Sequence, residues 1–484
     1  MKSTLYSACC LLLTLTLLPM LPTRVSADAV DDYLHTEMTR QHIPGLVLGV
    51  IRDGKLIRKQ AYGMADLELN LKTEPDMLFE IGSASKSLTS MTVMMLVEEG
   101  KVGLEDPIGK HLPDTPAVWK NITVRQLLNH TSGLPEYATI PEFTITEEIE
   151  GKKMLDALGK MPMDFAPGSA FSYTNTGFFL LGLLIEKETG KSYEDVIKER
   201  ILTPLGMTHT VSCDPYALTP GRASRYMMLG PRLVNSPSTK PTAAFSAGLW
   251  LSNVEDMAKW DAALREHKFL KPASYEAMWT ALRLPSGGRR PYGLGWFVGS
   301  MNGHRVIWHP GNSGGYSATL TRFPDDNLSV IVLVNLYPVN ADGLARGVAQ
   351  RYVPALKAAV LPEQTDPDPE RGKRLHAALD KLVEGDLSPK VFAPEMIGPL
   401  STPRGKMQRE GLTALKNITH FRYVGIEQTP NVTYTLYRAV TPERTFTVRF
   451  ALLPDGKISD ILPLMDPLPA AQAKPTTPKG EQKP

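Results

Sequence analysis

A serine and a lysine three residues apart are the first candidates for chemistry in this 484-residue chain. Ser83 and Lys86 stand at the start of an apolar run, 88–97, whose pattern predicts a helix. That spacing puts both side chains on one helix face, and the helix N-terminus favours an oxyanion developing at Ser83. A buried lysine with a lowered pKa can take the hydroxyl proton and so activate the serine. The alternative is an ordinary helix N-cap beside a solvated lysine.

A tyrosine and an asparagine two residues apart form the second candidate. Tyr173 and Asn175 lie between a turn at 166–169 and an apolar helical pattern that runs to Glu188. Both side chains can face one pocket, where Tyr173 would relay a proton and Asn175 would hydrogen-bond Lys86 and a substrate carbonyl. The structural alternative is a turn tyrosine that packs its ring beside an asparagine that caps the helix.

The third candidate is a glycine-rich segment between two predicted strands. His309 precedes Pro310 and Gly311, and a glycine at a strand edge lets a substrate backbone approach closely, as an added strand would. The segment 311–315 also matches Gly-x-Ser-x-Gly, in which Ser313 would be the nucleophile of an elbow between a strand and a helix. The residues that follow alternate like a strand, which argues against this second interpretation.

In this order, the three motifs resemble the active-site motifs of the β-lactamase-related serine hydrolases. This family includes class C β-lactamases, penicillin-binding D-alanyl-D-alanine carboxypeptidases and esterases of the same fold. The resemblance covers about residues 30–355 and does not extend to the C-terminal part of the chain. Four connecting stretches are also similar to the family: 122–135, 204–207, 246–252 and 292–296.

The resemblance implies a role for each residue. Ser83 matches the acylated nucleophile, Lys86 the general base and Tyr173 the proton relay. Asn175 matches the substrate-orienting amide, and the backbone N–H groups of Ser83 and Asn312 match the oxyanion hole.

Two departures from the family pattern concern the substrate. His309 carries less fixed positive charge at neutral pH than the lysine of many members. Pro310 stands where threonine or serine is common, so the hydroxyl that would bind a substrate carboxylate is missing. Both departures favour an esterase or peptidase over an efficient β-lactamase.

The order of elements predicts an α+β fold for residues 28–361. Strand patterns near both ends of this segment and helical patterns between them indicate one antiparallel sheet flanked by helices, with a helical subdomain. The resemblance implies the same β-lactamase/transpeptidase-like architecture. The predicted strands are 46–51, 56–62, 292–298, 305–308, 317–323 and 329–334, and the predicted helices are 85–99, 124–129, 147–158, 176–188 and 254–264.

The remainder of the chain has a different composition. A proline-rich linker, 362–370, precedes a predicted small α+β domain over 371–466. The tail, 467–484, has no periodicity and is predicted to be disordered. Within the small domain, the patterns predict a helix over 371–387 and strands over 421–427, 432–439, 445–453 and 457–462.

The N-terminal segment 1–27 has the pattern of a secretory signal, and its apolar run is too short to span a membrane. We therefore expect export, to the periplasm or the medium, and no membrane span once the signal is removed. The net charge of +2 falls to zero without Lys2 and Arg24, so no basic footprint for nucleic acid remains. Cys213 is then the single cysteine, and no internal disulfide is expected.

These observations predict an exported serine hydrolase that cleaves an ester or amide bond through an acyl-enzyme on Ser83. The substrate would be a small molecule or a peptide, with esterase, D-Ala-D-Ala-type peptidase and weak β-lactamase activities all open. No metal-ligand spacing and no nucleotide-binding glycine motif occurs, so no cofactor is expected. The alternative is a non-catalytic protein that holds peptidoglycan fragments or a partner. The oligomeric state and the role of residues 370–465 stay open.

Overall fold

The structure is a computed structural model that describes residues 27–140, 151–214, 216–248, 250–357, 361–429, 432–442 and 444–465. The signal predicted over 1–27, apart from its last residue, and the tail predicted over 467–484 lie outside these ranges. So do residues 147–150 of one predicted helix. No helix in the described ranges is long and apolar enough to cross a membrane.

Helices and strands occur along the whole described chain, with most of the helices of the catalytic segment between its first and last strands. The helices are α1 Ala27–Gln41, α2 Lys86–Glu98, α3 Ile108–His111, α4 Val124–Leu128, α5 Gly151–Leu158, α6 Asn175–Thr189, α7 Tyr193–Ile197, α8 Thr203–Leu205, α9 Pro241–Gly248, α10 Val254–Arg265, α11 Pro272–Met278, α12 Ala341–Tyr352, α13 Pro369–Glu384, α14 Pro394–Ser401 and α15 Pro403–Gly411. The strands are β1 Gly45–Arg52, β2 Lys55–Asp66, β3 Leu71–Lys72, β4 Phe79–Glu80, β5 Val211–Ser212, β6 Tyr226–Leu229, β7 Arg232–Asn235, β8 Trp250–Ser252, β9 Leu282–Arg283, β10 Arg289–Arg290, β11 Phe297–Met301, β12 His304–Ser313, β13 Tyr316–Phe323, β14 Leu328–Val334, β15 Leu336–Tyr337, β16 His420–Gln428, β17 Thr433–Val440, β18 Thr445–Leu452 and β19 Ile458–Met465.

The largest sheet joins the two ends of the predicted catalytic segment. Its order is β11-β12-β13-β14-β1-β2-β3, and β1 pairs antiparallel with β14 so that Leu46 lies opposite Val334. Alternate side chains of β1 enter different cores: Leu46 and Leu48 pack with α1 and α12, whereas Val47 packs on the side of α10. The predicted antiparallel sheet covered by helices is therefore confirmed.

The helical subdomain lies between these sheet segments and is built around α2 and α6. Both helices are apolar on most of their surface, and their residues are largely buried in one continuous core. A helix that is apolar all round must be covered on every side, so α2 is held firmly in place. The first residues of α2, which begins at Lys86, are therefore held at a fixed position.

The C-terminal unit has a separate sheet and core. Strands β16 to β19 form a four-stranded antiparallel sheet, and α13 packs on it through Leu375 and Leu379. Tyr437, Val448 and Phe450 supply the sheet side of this core. The small C-terminal α+β unit predicted from the sequence is therefore present.

Two local expectations differ from the structure. The strand predicted over 292–298 begins only at Phe297, because Gly293 N–H bonds the Trp296 carbonyl in a turn and Gly295 has φ +79°. Helix α12 was not predicted, and neither were α1, α14 and α15, among others. Part of the buried face of α12 is alanine and glycine, which gives a weak apolar period.

Candidate active site

Ser83 and Lys86 meet at the start of helix α2. Ser83 lies in a short 3-10 turn, Gly82–Ser85, that leads into the helix, and it is partly exposed. Lys86 is fully buried, and its Nζ lies 3.2 Å from Ser83 Oγ. The same Nζ donates to Asn175 Oδ1 at 2.7 Å and to the Ala247 carbonyl at 2.8 Å. The interpretation of this lysine as a solvated surface residue is therefore wrong.

Burial lowers the pKa of Lys86 to about 7. The Glu136 carboxylate acts in the opposite direction, and the Arg404 guanidinium adds to the lowering. A large fraction of Lys86 therefore has an uncharged amine at neutral pH, and an uncharged amine can accept a proton.

The hydroxyl of Tyr173 is the second group at the serine. The Tyr173 ring lies 5.0 Å from Lys86 Nζ and rests against the buried His130 ring, 4.2 Å between centroids. Burial raises the pKa of Tyr173, while the neighbouring Ser83 hydroxyl lowers it. The tyrosine hydroxyl is buried and makes no contact of full hydrogen-bond geometry with a described residue. It keeps its proton at neutral pH and can bond an additional atom in the site.

Asn175 connects the lysine to a carboxylate. It is the first residue of α6, and the cap of this helix is Thr174, whose side chain accepts from the Thr176 N–H. Asn175 Nδ2 and backbone N–H donate to the two oxygens of Glu136 at 3.3 and 2.7 Å. The amide therefore directs its Oδ1 toward Lys86, and the interpretation of Asn175 as a helix cap is wrong.

Strand β12 passes very close to the serine turn, at two glycines. A Cβ on Gly311 would lie 1.8 Å from the Ile81 carbonyl oxygen, and a Cβ on Gly82 would lie 2.6 Å from the Asn312 carbonyl oxygen. Only glycine permits this approach, and Gly82 also has φ +49°. The structure thus brings Gly311 and Asn312 to the turn that carries Ser83.

His309 is buried and uncharged. Its Nδ1 is 2.7 Å from the Pro310 carbonyl, which can only accept, so Nδ1 carries the proton. Nε2 then accepts from the Tyr292 hydroxyl at 3.0 Å. Burial and the charge of Lys86 lower the pKa of His309 to about 3. His309 adds no positive charge to the site at neutral pH.

Two charged residues at the site were missed by the sequence analysis. Glu136 is 7% exposed and accepts from Arg404 at 3.2 Å. Its position directly after the family-like stretch 122–135 is a signal that could have identified it. Arg404 belongs to α15, far away in the sequence, and no local pattern indicates that it contacts this site.

Ser313 has a different environment from a nucleophile. Its hydroxyl makes a short hydrogen bond to Glu80, a carboxylate that is 1% exposed. The segment after it continues as strand β13, not as a helix. The argument against a nucleophile elbow at Ser313 is therefore supported by the secondary structure.

The antiparallel sheet, the helical subdomain and a serine, lysine, tyrosine and asparagine clustered where they meet define a protein of the β-lactamase/transpeptidase fold. Residues 30–353 match the Beta-lactamase family, and the chain belongs to this family. The resemblance noted in the sequence is thus confirmed.

Two curated relatives match part of the chain. Protein flp from Staphylococcus aureus (strain MW2) is 26% identical over 322 residues, which are 65% of this chain and 64% of flp. Penicillin-binding protein 4* from Bacillus subtilis (strain 168) is 30% identical over 303 residues, 58% of this chain and 66% of that protein. The chain therefore spans slightly less than two thirds of the length of these relatives.

Solved structures share the fold over a longer range. The octameric penicillin-binding protein homologue from Pyrococcus abyssi has a TM-score of 0.60 and 23% identity, covering 91% of this chain and 98% of its own. The D-stereospecific amidohydrolase from Streptomyces sp. has a TM-score of 0.58 and 26% identity, covering 68% of this chain and 98% of its own. The first match extends beyond residues 30–353, so the likeness in fold includes part of the C-terminal unit.

Proposed function

We propose that this protein is a serine hydrolase that cleaves an ester or amide bond through an acyl-enzyme on Ser83. The observation that carries the proposal is the buried Lys86 amine, 3.2 Å from Ser83 Oγ and with a pKa of about 7. A serine hydroxyl becomes a nucleophile when such a base removes its proton. Membership of a family of serine hydrolases supports the same assignment.

The reaction begins with attack of Ser83 Oγ on the substrate carbonyl carbon while Lys86 Nζ accepts the hydroxyl proton. The oxyanion of the tetrahedral intermediate binds the backbone N–H groups of Ser83 and Asn312. The Tyr173 hydroxyl donates a proton to the leaving oxygen or nitrogen as the bond to carbon breaks, and Lys86 reprotonates the tyrosine. A water molecule then attacks the acyl-enzyme, with the proton transfers running in reverse, and releases the acid and free Ser83.

The substrate we favour is a small ester or a peptide-like amide without a required carboxylate. His309 is uncharged and Pro310 has no hydroxyl, so neither supplies the cation or the donor that would capture a carboxylate. Efficient β-lactamase action is disfavoured for this reason. A D-Ala-D-Ala-type peptidase is the second candidate in the proposal, because its substrate ends in a carboxylate that His309 and Pro310 do not capture. The likeness to a D-stereospecific amidohydrolase supports the cleavage of an amide bond.

The test is to measure covalent labelling by a fluorophosphonate together with hydrolysis of three substrates: a p-nitrophenyl ester, a chromogenic cephalosporin and a D-Ala-D-Ala peptide. We expect Ser83→Ala to abolish labelling and turnover, whereas Ser313→Ala keeps the labelling. Unchanged labelling of Ser83→Ala would overturn the mechanism. Stoichiometric labelling with no turnover of any substrate would favour the non-catalytic binding protein instead.

Export is a separate part of the proposal and rests on the signal pattern over 1–27. Expression of the full chain in a bacterial host, followed by fractionation and N-terminal sequencing, tests it. We expect a mature N-terminus near Asp28 in the exported fraction. A full-length chain in the cytoplasmic fraction would contradict it.

A further inference from the structure

The C-terminal unit places one charged side chain at the candidate active site. Arg404, in helix α15, forms an ion pair with Glu136 at 3.2 Å and also donates to the Tyr173 backbone carbonyl. Its guanidinium lies 5.5 Å from the centre of the Tyr173 ring. A residue of the appended unit therefore contacts both the proton-relay tyrosine and the carboxylate that holds Asn175.

The position of Arg404 is fixed by contacts elsewhere between the two units. Ser286 Oγ donates to Glu395 at 2.8 Å, and Arg290 donates to the Ser459 carbonyl at 2.6 Å. The helix that carries Arg404 also has a cap of its own, since the Thr402 side chain accepts from the Gly405 N–H. The two contacts between the units join the C-terminal unit, which includes α15, to the catalytic segment.

A continuous chain of polar contacts runs from Arg404 to the nucleophile. Glu136 accepts from Arg404 and Asn175, and Asn175 accepts from Lys86, whose amine lies beside Ser83. Charge at the far end of this chain therefore acts on the lysine. Glu136 raises the pKa of Lys86, and Arg404 lowers it.

Other titratable groups near Lys86 do not compensate for Glu136. The rings of His130 and His309 are uncharged because burial lowers the pKa of both, and burial raises the pKa of Tyr173 so that it keeps its proton. Asp164 also interacts with Glu136 and Arg404, and burial raises its pKa to about 6. The titratable groups that face Lys86 or Glu136 are thus Tyr137, Tyr173, His130, His309, Asp164 and Arg404.

We propose that Arg404 is a positioning residue of the active site, supplied by the C-terminal unit, which neutralises Glu136 and thereby keeps Lys86 in its proton-accepting form. The inference rests on the proposed function, because it assigns Lys86 the role of base. Through Arg404, the C-terminal unit would contribute to catalysis without binding the substrate. Loss of the guanidinium leaves the buried Glu136 charge to act on Lys86 alone.

The test compares Arg404→Ala with Arg409→Ala, a variant on the same helix whose arginine bonds the Leu400 carbonyl instead of the site. The readout is the pH dependence of the rate of fluorophosphonate labelling in the full chain. We expect Arg404→Ala to move the lower apparent pKa upward by about 0.5–1 unit, so that labelling at neutral pH slows about 2–5-fold. Arg409→Ala and Arg404→Lys are expected to keep the wild-type midpoint.

Two further variants show which group causes the shift in the apparent pKa of labelling. Glu136→Gln combined with Arg404→Ala removes both charges, and we expect its midpoint to return toward that of the wild type. Asp164→Asn combined with Arg404→Ala is expected to retain the shift that Arg404→Ala causes, which would assign the shift to Lys86 instead of Asp164. An unchanged midpoint in Arg404→Ala, or an equal shift in Arg409→Ala, would overturn the proposal. Labelling that persists in Ser83→Ala would instead overturn the proposed function, so the two failures are distinct.

Discussion

Lys86 determines how the site responds to pH, because its amine is buried among polar groups and near one carboxylate. The pKa of this lysine is lowered to about 7 by burial. Below that pH the amine is protonated and cannot accept the Ser83 proton; above it the amine is free. We therefore expect kcat/KM for a neutral ester to rise about tenfold per pH unit below neutrality and to level off above about pH 7–8.

The measurement is kcat/KM of the wild-type chain between about pH 5 and 9, with an uncharged ester so that the substrate does not titrate. Lys86→Met is the matched variant, since it keeps the length of the side chain and removes the amine. A profile flat through neutral pH in the wild-type chain would contradict the role of Lys86. So would wild-type activity in the methionine variant.

Glu80 is a second buried ionisable group, and its burial affects the stability of the fold instead of catalysis. Burial raises the pKa of Glu80 above its usual 4.5, although Ser313, Cys213 and Arg225 oppose the shift. The folded state then binds a proton more tightly than the unfolded state, so this carboxyl reduces stability as pH rises above about 4.5. We expect Glu80→Gln, which keeps an acceptor for the Ser313 hydroxyl, to gain stability relative to the wild type on going from about pH 4 to pH 8.

Thermal unfolding of both chains over this pH range measures the difference, up to about 1.4 kcal/mol for each unit by which the pKa is raised. Glu68→Gln is a suitable control, because Glu68 is exposed. If the stability of Glu80→Gln relative to the wild type fell with rising pH, Glu80 would be stabilising in its ionised form and the argument would be wrong.

At the scale of elements, the close contact between strand β12 and the serine turn is the feature most sensitive to a single methyl group. A Cβ on Gly311 would lie 1.8 Å from the Ile81 carbonyl oxygen and 2.9 Å from the Ala84 nitrogen, both backbone atoms. The strand or the turn must move in Gly311→Ala, and either movement displaces Asn312 from Ser83. We expect a loss of about 1–3 kcal/mol in stability and a fall of about 100-fold or more in labelling rate.

Gly411→Ala provides the control for this substitution. Gly411 has φ −63°, and a Cβ there would meet nothing within 4 Å, so we expect unchanged labelling and a small gain in stability. Melting temperatures and labelling rates of the two variants test the argument. Equal behaviour of the two glycine variants would mean that the approach of β12 is not required.

The sequence predicted those parts of the fold and site that are coded by local spacing. Ser83 and Lys86 lie three residues apart, and the predicted helix that follows them, 85–99, corresponds closely to α2. Strand β14 followed from its almost continuous apolar run, because it is buried on both faces, and β13 followed from its alternating pattern. Helix α12 was missed, since small residues on its buried face weaken its period.

Contacts between distant parts of the chain could not be predicted. The Glu136–Arg404 pair joins residues 268 positions apart, and nothing in a single sequence brings them together. The same holds for the hydrogen bond that the Tyr292 hydroxyl donates to His309. The roles of the site residues stay predictions until the variants are measured.

At the scale of the whole molecule, the described chain consists of two units, each with an apolar core, that are joined by polar contacts. The C-terminal unit has its own apolar core, which includes Leu379 and Phe450. At the junction, Arg290 is 7% exposed and donates to the Ser459 carbonyl. Desolvation raises the pKa of the partly buried Asp460, and the charge of Arg290 lowers it. Arg290 thus compensates a carboxyl of the other unit, and this couples the stability of the two.

We expect Arg290→Ala to destabilise the chain by about 1.5–3 kcal/mol at neutral pH, because the Ser459 carbonyl and Asp460 lose their cationic partner. The sign of the pH dependence follows from Asp460. The pKa of Asp460 in the folded state is already above the usual 3.8, and it rises further without the arginine. The folded state then binds the proton over a wider pH range than the unfolded state, so the folded state loses stability as pH rises across that range. Below about pH 4 the carboxyl is protonated in both states, and this part of the loss disappears.

Calorimetric unfolding of Arg290→Ala and of Arg283→Ala, on the paired strand β9 where the side chain is exposed, measures the effect at about pH 4 and pH 8. The loss in Arg290→Ala is expected to be larger at pH 8, with the C-terminal unit melting at a lower temperature than the rest. Because that unit carries Arg404, its early melting should also remove the ion pair with Glu136 and slow labelling of Ser83 at temperatures between the two transitions. A single transition that shifts equally at both pH values would mean that Arg290 acts only by packing, and that the two units unfold together for another reason.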